Sequence, residues 1–122
     1  MLLFILTTLA FADPTTATKE GPEIDAIDIR CSGGIWTSEA SMSTTVGEIE
    51  TRWLTSSGVV GVAAETGTDC ATSQHSAPCD TALWVEVRAY TSAPFPSTCA
   101  HASSPGHSPP SGCRRASPGG GC

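Results

Sequence analysis

Between Ile24 and Thr91 apolar and polar residues alternate with a period of two, and the alternation is broken at Ser- and Gly-rich points. In "IDAIDIRC", Ile27, Ile29 and Cys31 point one way and Asp28 and Arg30 the other. Ser32-Gly33-Gly34 reads as a turn. "IWTSEASM" places Trp36, Ala40 and Met42 on one face. "TVGEIETRWL" sets Gly47, Ile49, Thr51 and Trp53 against Glu48, Glu50 and Arg52. After the turn "TSSG" comes "VVGVAAE", and later "LWVEVRAYT", with Leu83, Val85, Val87 and Ala89 inward and Trp84, Glu86, Arg88 and Tyr90 outward. Period-two alternation bounded by turns is the pattern of half-buried antiparallel strands. No segment carries a helical apolar stripe over three turns. The pattern predicts an all-β domain of about five strands, a small antiparallel β-sandwich or a partly open barrel, over residues 24–96.

The flanks differ from this body. "MLLFILTTLAFA" (1–12) is apolar and uncharged, and Ala10-Phe11-Ala12 fits the small-x-small pattern of a signal-peptidase site. It reads as a secretory signal, although no Lys or Arg follows Met1. It falls short of the roughly 20 residues that a membrane-spanning helix needs. A lipoprotein is disfavoured, because the first cysteine, Cys31, lies far beyond the cleavage site. "DPTTATKEGPE" (13–23) reads as a flexible leader. Residues 97–122 contain no Val, Ile, Leu, Trp or Tyr. A stretch so poor in apolar surface cannot offset roughly 1–2 kcal/mol of backbone entropy per residue. The expectation is a disordered Ser/Pro/Gly/Cys-rich tail. The abrupt end of apolar periodicity near Pro94 is also what a frameshifted read-through yields, but an ordinary tail is the preferred reading.

Cysteines change the picture most. There are six, at 31, 70, 79, 99, 113 and 122, in a short chain with an export signal, so disulfides are expected. No Cys-x-x-Cys pair suggests a redox or zinc module. Cys70 and Cys79 are near in sequence and flank the polar "ATSQHSAP", so their pairing is the least costly loop to close. Cys31 ends the first strand and Cys99 follows the last, so a 31–99 bridge would tie the two ends of the domain. A core this small is marginal without such staples. The chain has no Asn and one Lys, Lys19, which points to a GC-rich, bacterial coding sequence and leaves no N-glycosylation sequon. The expected location is the periplasm, the cell surface or the medium.

Charge then excludes partners. Six basic residues stand against twelve acidic, a net charge of −6 at pH 7. Arg114 and Arg115 lie in the tail, so the body is more acidic still, and phosphate or an anionic membrane is repelled. Catalytic and metal patterns are thin. His75 has Asp69 and Asp80 near it in sequence, but a solvated loop histidine explains that grouping. Glu48 and Glu50 share a strand face, as solvated carboxylates commonly do, and no glycosidase-like cleft follows from them. Glu20, Glu23, Asp25 and Asp28 form no calcium loop. Cys99, His101, His107 and Cys113 could supply zinc donors, but their spacing matches no compact zinc module. No metal or cofactor is expected.

What remains is Trp84, Arg88 and Tyr90 on an outward strand face, residue types that favour interface centres. The expectation is a non-enzymatic secreted β domain that binds a protein or cell-surface partner through them. The alternatives are a disulfide-stabilised inhibitor or toxin-like effector that presents the Cys70–Cys79 loop, and a secreted hydrolase.

Overall fold

The computed structural model describes residues 22–91, 96–119 and 122. The expected signal at 1–12 and the leader up to Gly21 lie outside the described residues. Among the described residues six strands follow in order: β1 (Ile24–Ser32), β2 (Ile35–Thr55), β3 (Gly58–Ser76), β4 (Trp84–Tyr90), β5 (Thr98–Ser103) and β6 (Arg114–Arg115). No helix occurs among the described residues. The strands form one sheet that curls into an open half-barrel, so the partly open barrel is the form adopted and a two-sheet sandwich is not.

"IWTSEASM" and "TVGEIETRWL" are one strand, not two. β2 and β3 make a long antiparallel ribbon, with register shifts between Ser41 and Val46 and between Trp53 and Leu54. β1 pairs with the first half of β2, and β4 pairs with its second half. Along β2 the inward-facing positions change parity: Trp36, Ser38, Ala40, Met42 and Val46 are buried in its first part, and Ile49, Thr51 and Trp53 in its second. A bulge bends a strand and increases its twist, and the bent ribbon wraps the core. The β1–β2 turn needs positive φ at both central residues, and Gly33 (60°) and Gly34 (80°) supply it without a Cβ penalty.

The core contains Ile27, Trp36, Ile49, Trp53, Leu83, Val85, Val87 and Ala89, as the alternation predicted, and also Ile24, which lies beyond a register shift between Ile24 and Ala26. Trp53 is its largest fully buried member. The Trp53 indole N–H donates to Ser73 Oγ at 2.8 Å, and its ring stacks on His75 with centroids 5.7 Å apart. Gly61 lies opposite Trp53 in the ribbon. A Cβ at Gly61 would meet the Trp53 and His75 rings at 3.4–3.6 Å, so the absent side chain leaves room for the stack.

The tail is folded, contrary to expectation. Ala100 and Ala116 join the core with side chains small enough to fit under the curl. β5 pairs with β4, and β6 runs parallel to β5. Ser117 then bridges to Ala26, Ile27 N–H donates to Ser117 O at 3.1 Å, and Arg114 hydrogen-bonds the Ile24 carbonyl. The C-terminal segment thus links β5 to β1. The β structure therefore runs well beyond residue 96, where the alternation placed its end.

Both expected disulfide pairings are also replaced. The bridges are Cys31–Cys79, Cys70–Cys122 and Cys99–Cys113. "ATSQHSAP" is not a loop: β3 continues to Ser76. Six residues of extended strand separate Cys70 from Ser76 by about 20 Å, far beyond the Cα spacing that a disulfide tolerates. Sequence proximity lowers the cost of an encounter in the unfolded chain, but the strand holds the two cysteines apart in the folded one. Beyond β3 the chain crosses the β1–β2 turn, with Ala77 N–H donating to Gly34 O at 3.0 Å and the Trp36 indole N–H to Pro78 O at 3.2 Å. That crossing brings Cys79 to Cys31. Cys99 lies opposite Arg88 on the outer face, whereas Cys31 packs against the core, so a 31–99 bridge has no geometry.

Peptide mapping checks this connectivity. Trypsin cuts after Arg30, Arg52, Arg88, Arg114 and Arg115. Without reduction, peptides 31–52, 53–88 and 116–122 are expected to elute as one cross-linked species. Peptide 89–114 is expected alone, with an internal bridge. A species that joins 31–52 to 89–114 would contradict the fold.

Candidate surface for protein recognition

Two faces of the sheet have different fates. The inner face is the core. On the outer face, cross-strand neighbours share a side of the sheet, so the register assigns its occupants. Glu50 stands opposite Arg88, Arg52 opposite Glu86, Leu54 opposite Trp84 and Glu48 opposite Tyr90. On the ribbon's other strand, Ala64, Val62 and Val59 stand opposite Glu50, Arg52 and Leu54.

The first expected contact residue, Trp84, is not available. Residues 104–113 pass over it as a strap, and it is only 5% exposed. His107 lies against the indole with ring centroids 5.5 Å apart. Ser111 Oγ donates to Glu86 Oε2 at 3.0 Å, and His101 Nδ1 lies 2.9 Å from the Cys113 carbonyl oxygen. The Cys99–Cys113 bridge fixes the strap to β5. Trp84 is outward, as the alternation said, but a second layer covers it. A contribution from a coreless tail leaves no periodic signal upstream.

Arg88 and Tyr90 are half-buried on the uncovered part of this face. They belong to a row of alternating charge. Arg88 Nη2 lies 3.4 Å from Glu86 Oε1, Arg52 Nε lies 3.0 Å from Glu50 Oε1, and the Tyr90 hydroxyl donates to the same Glu50 oxygen at 3.3 Å. Each arginine has a carboxylate on its own strand and another opposite it. Such a row is close to neutral and holds its side chains in place, which lowers the ordering cost of a contact.

Three residues missing from the expected site complete the surface. Val59, Val60 and Val62 are 51%, 43% and 58% exposed on β3, beside Leu54 and Arg52. The shift between Trp53 and Leu54 leaves Val60 without a partner residue, so the valines do not simply alternate in and out. The sequence signal was "VVGV", an apolar run without the polar alternation seen elsewhere.

The remaining candidates do not assemble. Among the described residues no three His, Cys, Asp or Glu side chains are grouped to hold a metal ion. Cys99 and Cys113 are bonded to each other and cannot act as thiolate ligands. His75 is engaged with Trp53. A cleft of about 170 Å³ between β1 and β5 is lined by Ile27, Asp28, Ala102 and Arg115. Another of about 260 Å³ lies between Asp80 and His107. No helix among the described residues is long and apolar enough to cross a membrane.

Fold and surface define a small three-disulfide, all-β half-barrel with one outer face part covered by its own C-terminal strap and part open. No protein-family model matches the chain, and no curated protein or solved structure is significantly similar to it.

Proposed function

We propose that this chain is an exported, non-enzymatic β module that binds a protein partner through the open part of its outer face. The observation that carries the reading is the group of exposed valines, Val59, Val60 and Val62, set beside Leu54 and Arg52, with Tyr90 farther along the same face and bonded to Glu50. Apolar area next to pre-ordered Arg and Tyr side chains is the composition of interface centres. Three disulfides in so small a domain suit an oxidising compartment outside the cytoplasm. The apolar, uncharged residues 1–12 supply the export signal in this reading. The net charge of −6 opposes nucleic acid and anionic lipid as partners.

The inhibitor reading loses its support, because residues 71–76 are strand and Cys70 and Cys79 pair elsewhere.

Photo-crosslinking tests the proposal. A benzophenone side chain at Val59, in chain incubated with intact source cells and their medium, is expected to trap a discrete protein. The same group at Gln74, exposed on the other half of β3, is expected to trap none. Tyr90→Ala is expected to weaken binding of the trapped protein about tenfold or more, the effect of an interface anchor, with an unchanged melting temperature. Identical products from both positions, or full binding by Tyr90→Ala, would refute the face.

A further inference from the structure

We infer that residues 105–112 are a lid that lifts while the domain stays folded, and that the uncovered Trp84 joins the recognition face and meets a partner that presents a carbonyl or carboxylate oxygen to its indole N–H. The inference rests on the reading of the outer face as a protein-binding surface and adds a residue to it.

Trp84 Nε1, Arg88 Nε and His107 Nε2 are buried without a hydrogen-bond partner, and among the described residues Ser38 Oγ is the one other side-chain atom in that state. Trp84 and Arg88 share the outer face of β4, and His107 lies against Trp84 from the strap. Native proteins pair nearly all buried polar atoms, and an unpaired one carries its full desolvation cost. Closing the strap over Trp84 shuts an indole N–H away from water and offers it no acceptor. Lifting the strap removes that cost.

The strap is built to move between fixed ends. Ser104 N–H donates to Leu83 O at 2.9 Å, and Cys113 is bonded to Cys99. Between them none of residues 105–112 is buried, and the span has no Val, Ile, Leu, Met or Phe. It is tied to the sheet by hydrogen bonds from Ser111 to Glu86 and from Ser103 to the His107 carbonyl, and by the His107–Trp84 contact. Gly106, with φ of 77°, and Gly112 flank the tied residues. The cleft of about 260 Å³ borders Pro105, Gly106 and His107, so the lid has space on that side.

The chemistry of the partner follows from what the lid uncovers. Val59, Leu54 and Trp84 stand in one row across β3, β2 and β4. With the strap lifted, that row places an indole beside the exposed valines, and tryptophan is enriched at the energetic centres of interfaces. A partner seated there excludes water again, so the indole N–H needs an acceptor from the partner itself. The unpaired Arg88 Nε on the same strand face calls for the same chemistry. Carbonyl and carboxylate oxygens supply it.

Hydrogen exchange of the indole N–H groups, followed by NMR on tryptophan-labelled chain in rising sub-denaturing urea, tests the lid. The Trp53 N–H is expected to exchange through global unfolding and to accelerate steeply with urea. The Trp84 N–H is expected to exchange about 100-fold faster or more, at a rate nearly independent of urea, as local opening requires. Ser111→Ala, which cuts the tie to Glu86, is expected to raise the Trp84 rate about fivefold and to leave the Trp53 rate alone. Equal urea dependence at Trp53 and Trp84, or a Trp84 rate that Ser111→Ala does not change, overturns the lid. Trp84→Phe keeps an aromatic ring and removes the donor. It is expected to weaken binding of the protein trapped through Val59 about tenfold, and full binding would overturn the role given to Trp84. Failure of the face itself is read separately, from Tyr90→Ala and from the Gln74 crosslinks, and the exchange rates still decide the lid.

Discussion

Trp53→Ala is expected to leave the domain close to unfolded at 25 °C. Trp53 is 1% exposed and is the largest fully buried side chain. Its position explains why the loss is severe. It sits on the second half of β2, yet its indole N–H reaches Ser73 and its ring stacks on His75, both on the second half of β3. One side chain therefore holds the two halves of the bent ribbon against each other. Truncating a buried tryptophan to alanine costs about 3–5 kcal/mol, and an unpaired Ser73 hydroxyl adds about 1 kcal/mol or more. Whole domains have about 5–15 kcal/mol. For a domain of this size the melting temperature should fall by about 15 °C or more. Trp53→Phe keeps most of the packing and loses the hydrogen bond, so it should fall between Trp53→Ala and wild type. Thermal melts followed by circular dichroism read all three. A Trp53→Ala chain that melts within a few degrees of wild type would show that the ribbon is not held at this point.

Deleting residues 104–122 is expected to abolish the cooperative thermal transition. The deletion removes Cys113 and Cys122 and with them two of the three bridges. On the loop-entropy model, the Cys70–Cys122 bridge, with a sequence separation of 52, contributes about 4 kcal/mol, and Cys99–Cys113, with a separation of 14, about 3 kcal/mol. That sum is comparable to the whole stability of a small domain. The deletion also uncovers Trp84, strips the partner from Glu86 Oε2, and removes Ser104, whose backbone N–H donates to the Leu83 carbonyl and whose hydroxyl oxygen accepts from the Leu83 N–H. The Cys70→Ser, Cys99→Ser variant of the truncated chain avoids mispaired thiols and separates their effect from loss of the strap. A truncated chain that retains strand signal and melts near the full-length value would mean that residues 104–122 are an appendage after all.

The outcome at these two places shows what kind of information a sequence carries. Period-two alternation determined the class, the strand faces of β1, β2 and β4, and most of the core. Each of those depends only on residues two apart within one strand, and burial of one face imposes that pattern directly. Ile27, Trp36, Ile49, Trp53, Val85 and Val87 were legible for this reason. The even number of cysteines in a short chain likewise determined that disulfides hold the fold.

Tertiary structure alone decided the rest. Disulfide pairing depends on where strands lie in space, and the extension of β3 through Ser76 overrode the nearness of Cys70 to Cys79. The order of residues 97–122 could not be read from apolar content, because Ala100 and Ala116 bury little area each, and the segment is held by two bridges and by pairing to β4 and β1. The fate of the outer face followed from that order. Trp84 and Tyr90 occupy equivalent positions in the alternation, yet the strap covers the first and leaves the second at the open surface. Alternation says which way a side chain points; only the packing of distant segments decides whether anything stands in front of it.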